Sequence, residues 1–177
     1  MLVPTPIATF DTSVHSPADC SAAVCAPGAE VGSLGCLVQM DGARYVLGSA
    51  HVMIASAIAM GPGQLYQPPI DHPGYRPIAK PYAAAIAVKD GVTVNTLDAA
   101  LAEVLDPKAV SAKLGGLGFP AGFRTTALAV GERVRIHGAG GRQVAFGKVQ
   151  QTAFTALARR EAEVKSGLWS CSVIAPS

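Results

Sequence analysis

The stretch that decides the fold reads Gly35-Cys36-Leu37-Val38-Gln39-Met40-Asp41-Gly42-Ala43-Arg44-Tyr45-Val46-Leu47-Gly48. Two runs of β-prone residues, 35–40 and 44–48, flank an Asp-Gly pair. Such a pair favours a tight turn, because glycine adopts positive φ angles at little cost. The stretch therefore predicts a β-hairpin. Ser49-Ala50-His51-Val52-Met53 follows directly, which places His51 just beyond the end of the second strand.

Further β-patterns are spread along the chain. Residues 83–88 and 92–102 are predicted to be strands, the second of which continues as a buried run. Residues 133–137 and 143–149 alternate as half-buried strands do, and the glycines between them predict a second hairpin. Residues 61–82 hold six prolines and three glycines and are predicted to form a long surface loop. Residues 115–122 form a turn-rich connector between two halves.

The composition agrees with an all-β protein of one domain or two closely joined small ones. Half of the 177 residues are apolar, so a core can be buried, and the composition argues against a disordered chain. The 19 glycines and 13 prolines favour short strands and turns over a helical bundle. Residues 1–31 lack sustained periodicity, and we expect them to form an extended arm that lies over the core rather than forming it.

The charge distribution gives no reason to expect nucleic acid as a partner. Residues 1–43 carry four acids and no Lys or Arg, and the remaining 134 residues carry 14 bases against eight acids. This excess is too dilute for a phosphate-binding stripe. No stretch is apolar over the roughly 20 residues that a membrane span requires. No signal peptide is visible, so the cytoplasm is favoured over export.

The four cysteines are read mainly as buried thiols rather than as disulfides. Cys20 and Cys25 are close enough in sequence to bridge, whereas Cys36 and Cys171 could pair only through the fold. A zinc site at His15, Cys20 and Cys25 lacks a fourth ligand and the usual paired spacing. The sequence predicts no metal and no cofactor.

The most informative pair of residues for function is His51 and Asp98. Asp98 lies in the otherwise apolar run Leu97-Asp98-Ala99-Ala100-Leu101-Ala102, and a buried carboxylate there needs a partner. A histidine that donates one ring N–H to such a carboxylate has a fixed tautomer and is a good general base. Spacing alone leaves the alternative open that His51 is a histidine at the edge of the core and Asp98 caps a turn.

Three segments resemble trypsin-like serine peptidases of a bacterial branch. They are Gly32-Ser33-Leu34-Gly35-Cys36-Leu37-Val38, Tyr45-Val46-Leu47-Gly48-Ser49-Ala50-His51-Val52 and Asn95-Thr96-Leu97-Asp98-Ala99-Ala100-Leu101-Ala102. The stretch from Val130 to Val149 is similar to the opening of that family's second barrel. The resemblance covers about residues 32–150 and does not explain residues 1–31.

The resemblance implies a chymotrypsin-like fold of two six-stranded β-barrels. The first barrel, residues 32–114, would carry His51 as general base and Asp98 as the residue that orients it. The second, residues 115–177, would be incomplete. The implied activity is serine-type hydrolysis of a peptide or protein substrate by acyl transfer.

The chain departs from this family at the nucleophile. The Gly-Asp-Ser-Gly motif does not occur in the 177 residues, and only Ser166 among the serines after Asp98 is followed by glycine. We therefore expect the chain alone to be inactive, with the serine supplied by a downstream segment or a second chain. The alternative is a trypsin-like barrel without catalysis that acts as a binding or structural module.

Overall fold

The computed structural model describes residues 11–53, 63–85, 99–122, 124–140 and 144–150. Asp98, Cys171 and residues 151–177 lie outside them. The described strands are β1 (Ala18–Cys20), β2 (Ala23–Val24), β3 (Gly32–Ser33), β4 (Cys36–Met40), β5 (Ala43–Gly48), β6 (Leu65–Gln67), β7 (Arg76–Ala85), β8 (Ala99–Val104), β9 (Val110–Leu114), β10 (Arg133–Ile136) and β11 (Ala145–Lys148). The one helix in these ranges, α1, spans Ala50–Met53, and a 3₁₀ turn spans Gly115–Leu117. The all-β class is thus confirmed.

The first predicted hairpin is confirmed. Strands β4 and β5 pair antiparallel from Cys36 opposite Leu47 to Met40 opposite Ala43. Asp41 and Gly42 both have positive φ, 50° and 81°, as the two central residues of a type I′ turn require. Aspartate is among the few non-glycine residues that adopt this conformation readily. The turn therefore sets the register of the hairpin and the point at which β5 begins.

Five strands form the main sheet, in the antiparallel order β4-β5-β8-β7-β6. Strands β6, β7 and β8 are neighbours in the order in which they follow one another along the chain. The chain then returns so that β8 also lies beside β5, which is a Greek-key arrangement. Gly48 at the end of β5 is paired with Ala100 near the start of β8. Along β8 the side chains alternate between buried and half-buried, so one face of the sheet covers the core.

The prediction of a surface loop over residues 61–82 is wrong in its described part, because this part contains β6 and most of β7. Leu65, Ile78 and Ala79 are fully buried. The prolines of β7 are placed where a strand tolerates them. Pro81 lies at a register irregularity, and Pro77 lies before the pairing with β8 begins at Ala79. A missing N–H breaks no ladder hydrogen bond at such positions.

Residues 1–31 are predicted by their sequence to lie over the core rather than to form it. Their described part, residues 11–31, instead contributes to the core. Ala18, Ala22 and Val24 belong to the main hydrophobic cluster. Strand β1 pairs in parallel with β9, and β2 pairs with β3. Residues 18–24 are therefore part of the core, because small alanine side chains let this segment approach strands from distant parts of the chain. The lack of periodicity in the sequence was misleading here.

The second predicted hairpin is also confirmed, since β10 and β11 pair antiparallel from Arg133 opposite Lys148 to Ile136 opposite Ala145. Residues 141–143 of its connection lie outside the described part. A bulge precedes the hairpin: the N–H of Gly131 donates to the carbonyl of Val149, whose own N–H donates to the carbonyl of Glu132. Gly131 has a φ of 86°, the conformation that such a bulge requires of its first residue.

The described strands group into one five-stranded and three two-stranded sheets. No closed barrel is found among the residues that the structure describes. The predicted division of the chain at residues 31 and 114 stays a prediction.

Candidate functional site

His51 lies on a single helical turn that begins two residues after β5 ends. The N–H groups of Val52 and Met53 both donate to the carbonyl of Ser49, at 3.2 and 3.1 Å, which closes this turn. Val52 and Met53 are buried in the core, whereas His51 is half-buried. The two apolar side chains therefore anchor α1, and the imidazole is placed at its partly exposed side.

Gly48 makes this arrangement possible. A Cβ atom at Gly48 would lie 2.6 Å from the sulfur of Met53, so a larger residue would push Met53 out of its place under the turn. The helix also packs against β8 and β7. The position of His51 thus depends on the β5–α1 junction, where Gly48, Ser49 and Ala50 are all small residues.

Asp98, the predicted partner of His51, lies outside the described residues. Its neighbour Ala99 is the first residue of β8, which pairs with β5 through Gly48 and Ala100. His51 is three residues beyond Gly48 in the sequence, and Asp98 is two residues before Ala100. The antiparallel register therefore brings the chain at Ala99 to the end of the sheet where α1 begins. The hydrogen bond between His51 and Asp98 remains a prediction.

A second polar cluster, which the sequence did not indicate, joins Ser21 to His137. The hydroxyl of Ser21 and Nδ1 of His137 are 2.8 Å apart. The hydroxyl donates when Nδ1 is unprotonated and accepts when Nδ1 carries the proton. Ser21 is 5% exposed and has a φ of 87°, which is uncommon for a residue other than glycine.

Gly115 and the backbone of Leu34 hold this cluster in place. The N–H of Ser21 donates to the carbonyl of Leu34 at 2.6 Å. A Cβ atom at Gly115 would lie 2.4 Å from Cε1 of His137 and 2.8 Å from the hydroxyl of Ser21. Only glycine leaves room for the pair. The contact therefore ties the N-terminal segment to the residue that follows β10.

A cavity of about 70 Å³ adjoins this pair, and Asp11, His15 and Asp19 also line it. No group of three or more His, Cys, Asp or Glu side chains suited to a metal ion occurs among the described residues. Ser21 and His137 lie 116 residues apart in the sequence. No spacing rule connects residues at that separation, so the pair had no sequence signal.

The described cysteines agree with the prediction of buried thiols at two positions. Cys20 and Cys25 are free and buried. Burial raises the pKa of the Cys20 thiol to about 11, and the nearby backbone of Leu37 opposes this shift only in part. Its Sγ lies 3.3 Å from the carbonyl oxygen of Ser111, to which the thiol donates. Burial likewise raises the pKa of Cys25. A nucleophilic role for either thiol is disfavoured at neutral pH, because the thiolate is the reactive form.

A scan against protein-family models found no match, and a search of curated proteins found no relative. Among the residues that the structure describes, no helix has the length and apolar character needed to cross a membrane.

Proposed function

We propose that the chain is a trypsin-like serine peptidase homologue that acts on peptide bonds by acyl transfer, with His51 as general base and Asp98 as the residue that orients it. The observation that carries the proposal is the register of β5 and β8. Gly48 opposite Ala100 brings the chain beside Asp98 to the end of the sheet where α1 presents His51. The resemblance of these same segments to the family's histidine and aspartate motifs supports the assignment.

The topology supports a first barrel of the chymotrypsin-like type. The main sheet continues beyond its β6 edge, where the backbone of Cys25 forms an isolated antiparallel β-bridge with Tyr66. Cys25 directly follows β2, which pairs with β3. At the other edge, β9 lies against β4. A sheet whose two edges approach further strands in this way is compatible with closure around the core. The β10–β11 hairpin would then begin the second barrel.

In the proposed mechanism, the imidazole of His51 accepts the proton of a serine hydroxyl as that oxygen attacks the peptide carbonyl. The same imidazole then gives the proton to the leaving amine. Asp98 accepts the other ring N–H, which holds the tautomer and stabilises the imidazolium. The nucleophilic serine and the oxyanion donors would come from a downstream segment or a second chain. No step requires a cofactor.

One observation favours a second candidate function. The Gly-Asp-Ser-Gly motif does not occur in the 177 residues, so these residues would supply only two of the three catalytic groups. A barrel that has lost hydrolysis would act as a binding or structural module.

The coding sequence beyond Ser177 and a labelling experiment separate the two candidates. We expect codons for Gly-Asp-Ser-Gly downstream. We also expect the full product to react with a serine-directed fluorophosphonate, and His51→Ala to abolish that reaction. The chain ending at Ser177 should not react. A stop codon directly after Ser177, together with an unreactive protein, would overturn the peptidase proposal in favour of the binding module.

A further inference from the structure

The β10–β11 hairpin presents a basic face to solvent. Directly opposed residues of antiparallel strands point to the same side, and Arg133 pairs with Lys148 while Arg135 pairs with Phe146. These four side chains therefore share one face. Arg133, Phe146 and Lys148 are exposed, and Phe146 is 79% exposed although it is aromatic. The opposite face carries the half-buried Val134, Ile136 and Gly147.

The three cations of this face have no partner among the described residues. The ion pairs found there join Lys80 to Glu103, Lys113 to Asp19 and Arg124 to Glu132. The carboxylate of Glu132, the nearest acid in sequence, is occupied by Arg124 and by the N–H of Ala129. The positive charge of the hairpin face is therefore not compensated by the described part of the chain.

The pairing of Arg133 with Lys148 is unfavourable for the isolated hairpin. The hydrogen bond from the N–H of Val149 to the carbonyl of Glu132 sets the alternation of the ladder. Residues 132, 134 and 136 bond towards β11, so Arg133 and Lys148 form a non-hydrogen-bonded pair. Side chains are closest in such pairs, and like charges directly opposite each other are destabilising. An anion over this face would attract both cations and so offset their repulsion.

Within the part of the chain that the structure describes, the same alternation leaves an open backbone edge. The N–H and carbonyl groups of Arg133 and Arg135 point away from β11, and β11 is the only described strand that pairs with β10. An unpaired edge of this kind is a template for another extended chain. The edge and the basic face belong to the same two residues, so one ligand can use both.

We propose that the edge of β10 binds an extended acidic peptide segment with carboxylates at alternate positions. The segment adds a strand beside Arg133 and Arg135, and its backbone satisfies their N–H and carbonyl groups. Alternate side chains of any extended strand repeat about every 6.6–6.8 Å. Two carboxylates two residues apart therefore match Arg133 and Arg135 in register. This interaction surface does not depend on the proposed hydrolysis, but it requires that β10 remains an edge strand if the hairpin begins a second barrel.

The backbone edge favours a peptide over single-stranded nucleic acid. A phosphodiester chain has no alternating amide groups that could complete the ladder. Nucleic acid would instead stack its bases on Phe146, which contributes about 1–3 kcal/mol per base in such complexes. Phe146 is therefore the residue that separates the two classes of ligand, because the peptide contacts it only at the margin.

The test uses fluorescence anisotropy with a labelled peptide that alternates Glu and Thr, a matched peptide with Gln for Glu, and oligothymidylate. We expect the Glu peptide to bind at low salt and more weakly at high salt, and the Gln peptide to bind much less. Arg135→Gln and Arg133→Gln should each weaken binding about five- to tenfold. Lys108→Gln, which removes an exposed charge between β8 and β9, should change it less than about twofold.

Amide hydrogen exchange distinguishes strand addition from binding by charge attraction alone. On addition of the Glu peptide, the amides of Arg133 and Arg135 should become protected, because they enter the new ladder. Equal weakening by Lys108→Gln, or binding without this protection, would refute strand addition at β10. Tight binding of oligothymidylate that Phe146→Ser abolishes would overturn the proposal in favour of nucleic acid. Failure of the Glu peptide to bind at low salt would refute it outright.

Discussion

Replacing Gly35 by alanine should be among the most damaging single changes in the described part of the chain. An added Cβ would lie 2.0 Å from the carbonyl oxygen of Leu47 and 3.0 Å from its carbon. The obstacle is backbone of β5, which cannot rotate away as a side chain end can. The carbonyl must therefore move, and with it the pairing of Leu47 with Cys36.

The expected cost follows from three contributions. Overpacking of a dense site costs about 1–3 kcal/mol, and a weakened hydrogen bond adds about 0.5–1.5 kcal/mol. The reduced freedom of the unfolded chain offsets about 0.4–1 kcal/mol. Because the contact is with backbone, we expect the upper part of the range, a loss of about 2–4 kcal/mol in the free energy of unfolding.

Urea denaturation followed by far-UV circular dichroism measures this loss. The matched control is Gly122→Ala, since Gly122 is exposed and a Cβ there meets nothing within 4 Å. It shares the effect on the unfolded chain but not the clash. If the free energies of unfolding of Gly35→Ala and Gly122→Ala differ by less than about 0.5 kcal/mol, the backbone of Leu47 does not lie as close to Gly35 as the structure has it.

Three further predictions concern the buried polar groups of Ser21 and Cys20. Ser21→Ala removes the partner of His137 and should lower the free energy of unfolding by about 1–2 kcal/mol, whereas Thr125→Ala, at an exposed position, should leave it nearly unchanged; equal effects in urea denaturation would refute the tether. Cys20, with its pKa raised from 9.0 to about 11, should react with thiol reagents near pH 8 at least about 100-fold more slowly in the folded than in the unfolded protein. Because the thiol ionises at a lower pH in the unfolded chain than in the folded protein, the free energy of unfolding has its full value below about pH 9. It falls by up to about 2–3 kcal/mol as the pH rises to about 11. Cys20→Ala should lose that part of the pH dependence, and an unchanged profile would contradict the burial of the thiol.

The two hairpins were predictable because their signals are local. Asp41-Gly42 specifies a type I′ turn by the φ angles that these residues accept, and Arg133 to Ile136 alternates as a half-buried strand does. In both cases the residues that determine the structure are neighbours in sequence. Burial then only selects among structures that the local chemistry already favours.

The errors arose where tertiary pairing decides the structure. Proline density predicted a loop around Pro77 and Pro81, yet one lies where β7 has a single neighbour and the other lies at a bulge. Ala18 and Ala22 carry no apolar pattern, but their small size lets them pack in the core. The contact of Ser21 with His137 spans 116 residues, and its signal exists only in three dimensions.

The most direct test of the central claim is the tautomer of His51, read from long-range ¹H–¹⁵N correlation spectra at a pH where free imidazole is neutral, about 8.5. His51→Gln assigns the signals. We predict a proton on Nδ1 at low field and an unprotonated Nε2, because Asp98 accepts the Nδ1 hydrogen bond. Asp98→Asn should disturb this state, and Asp106→Asn, at an exposed turn, should not. Spectra of His51 that Asp98→Asn leaves unchanged would contradict the assignment of these two residues as general base and orienting acid.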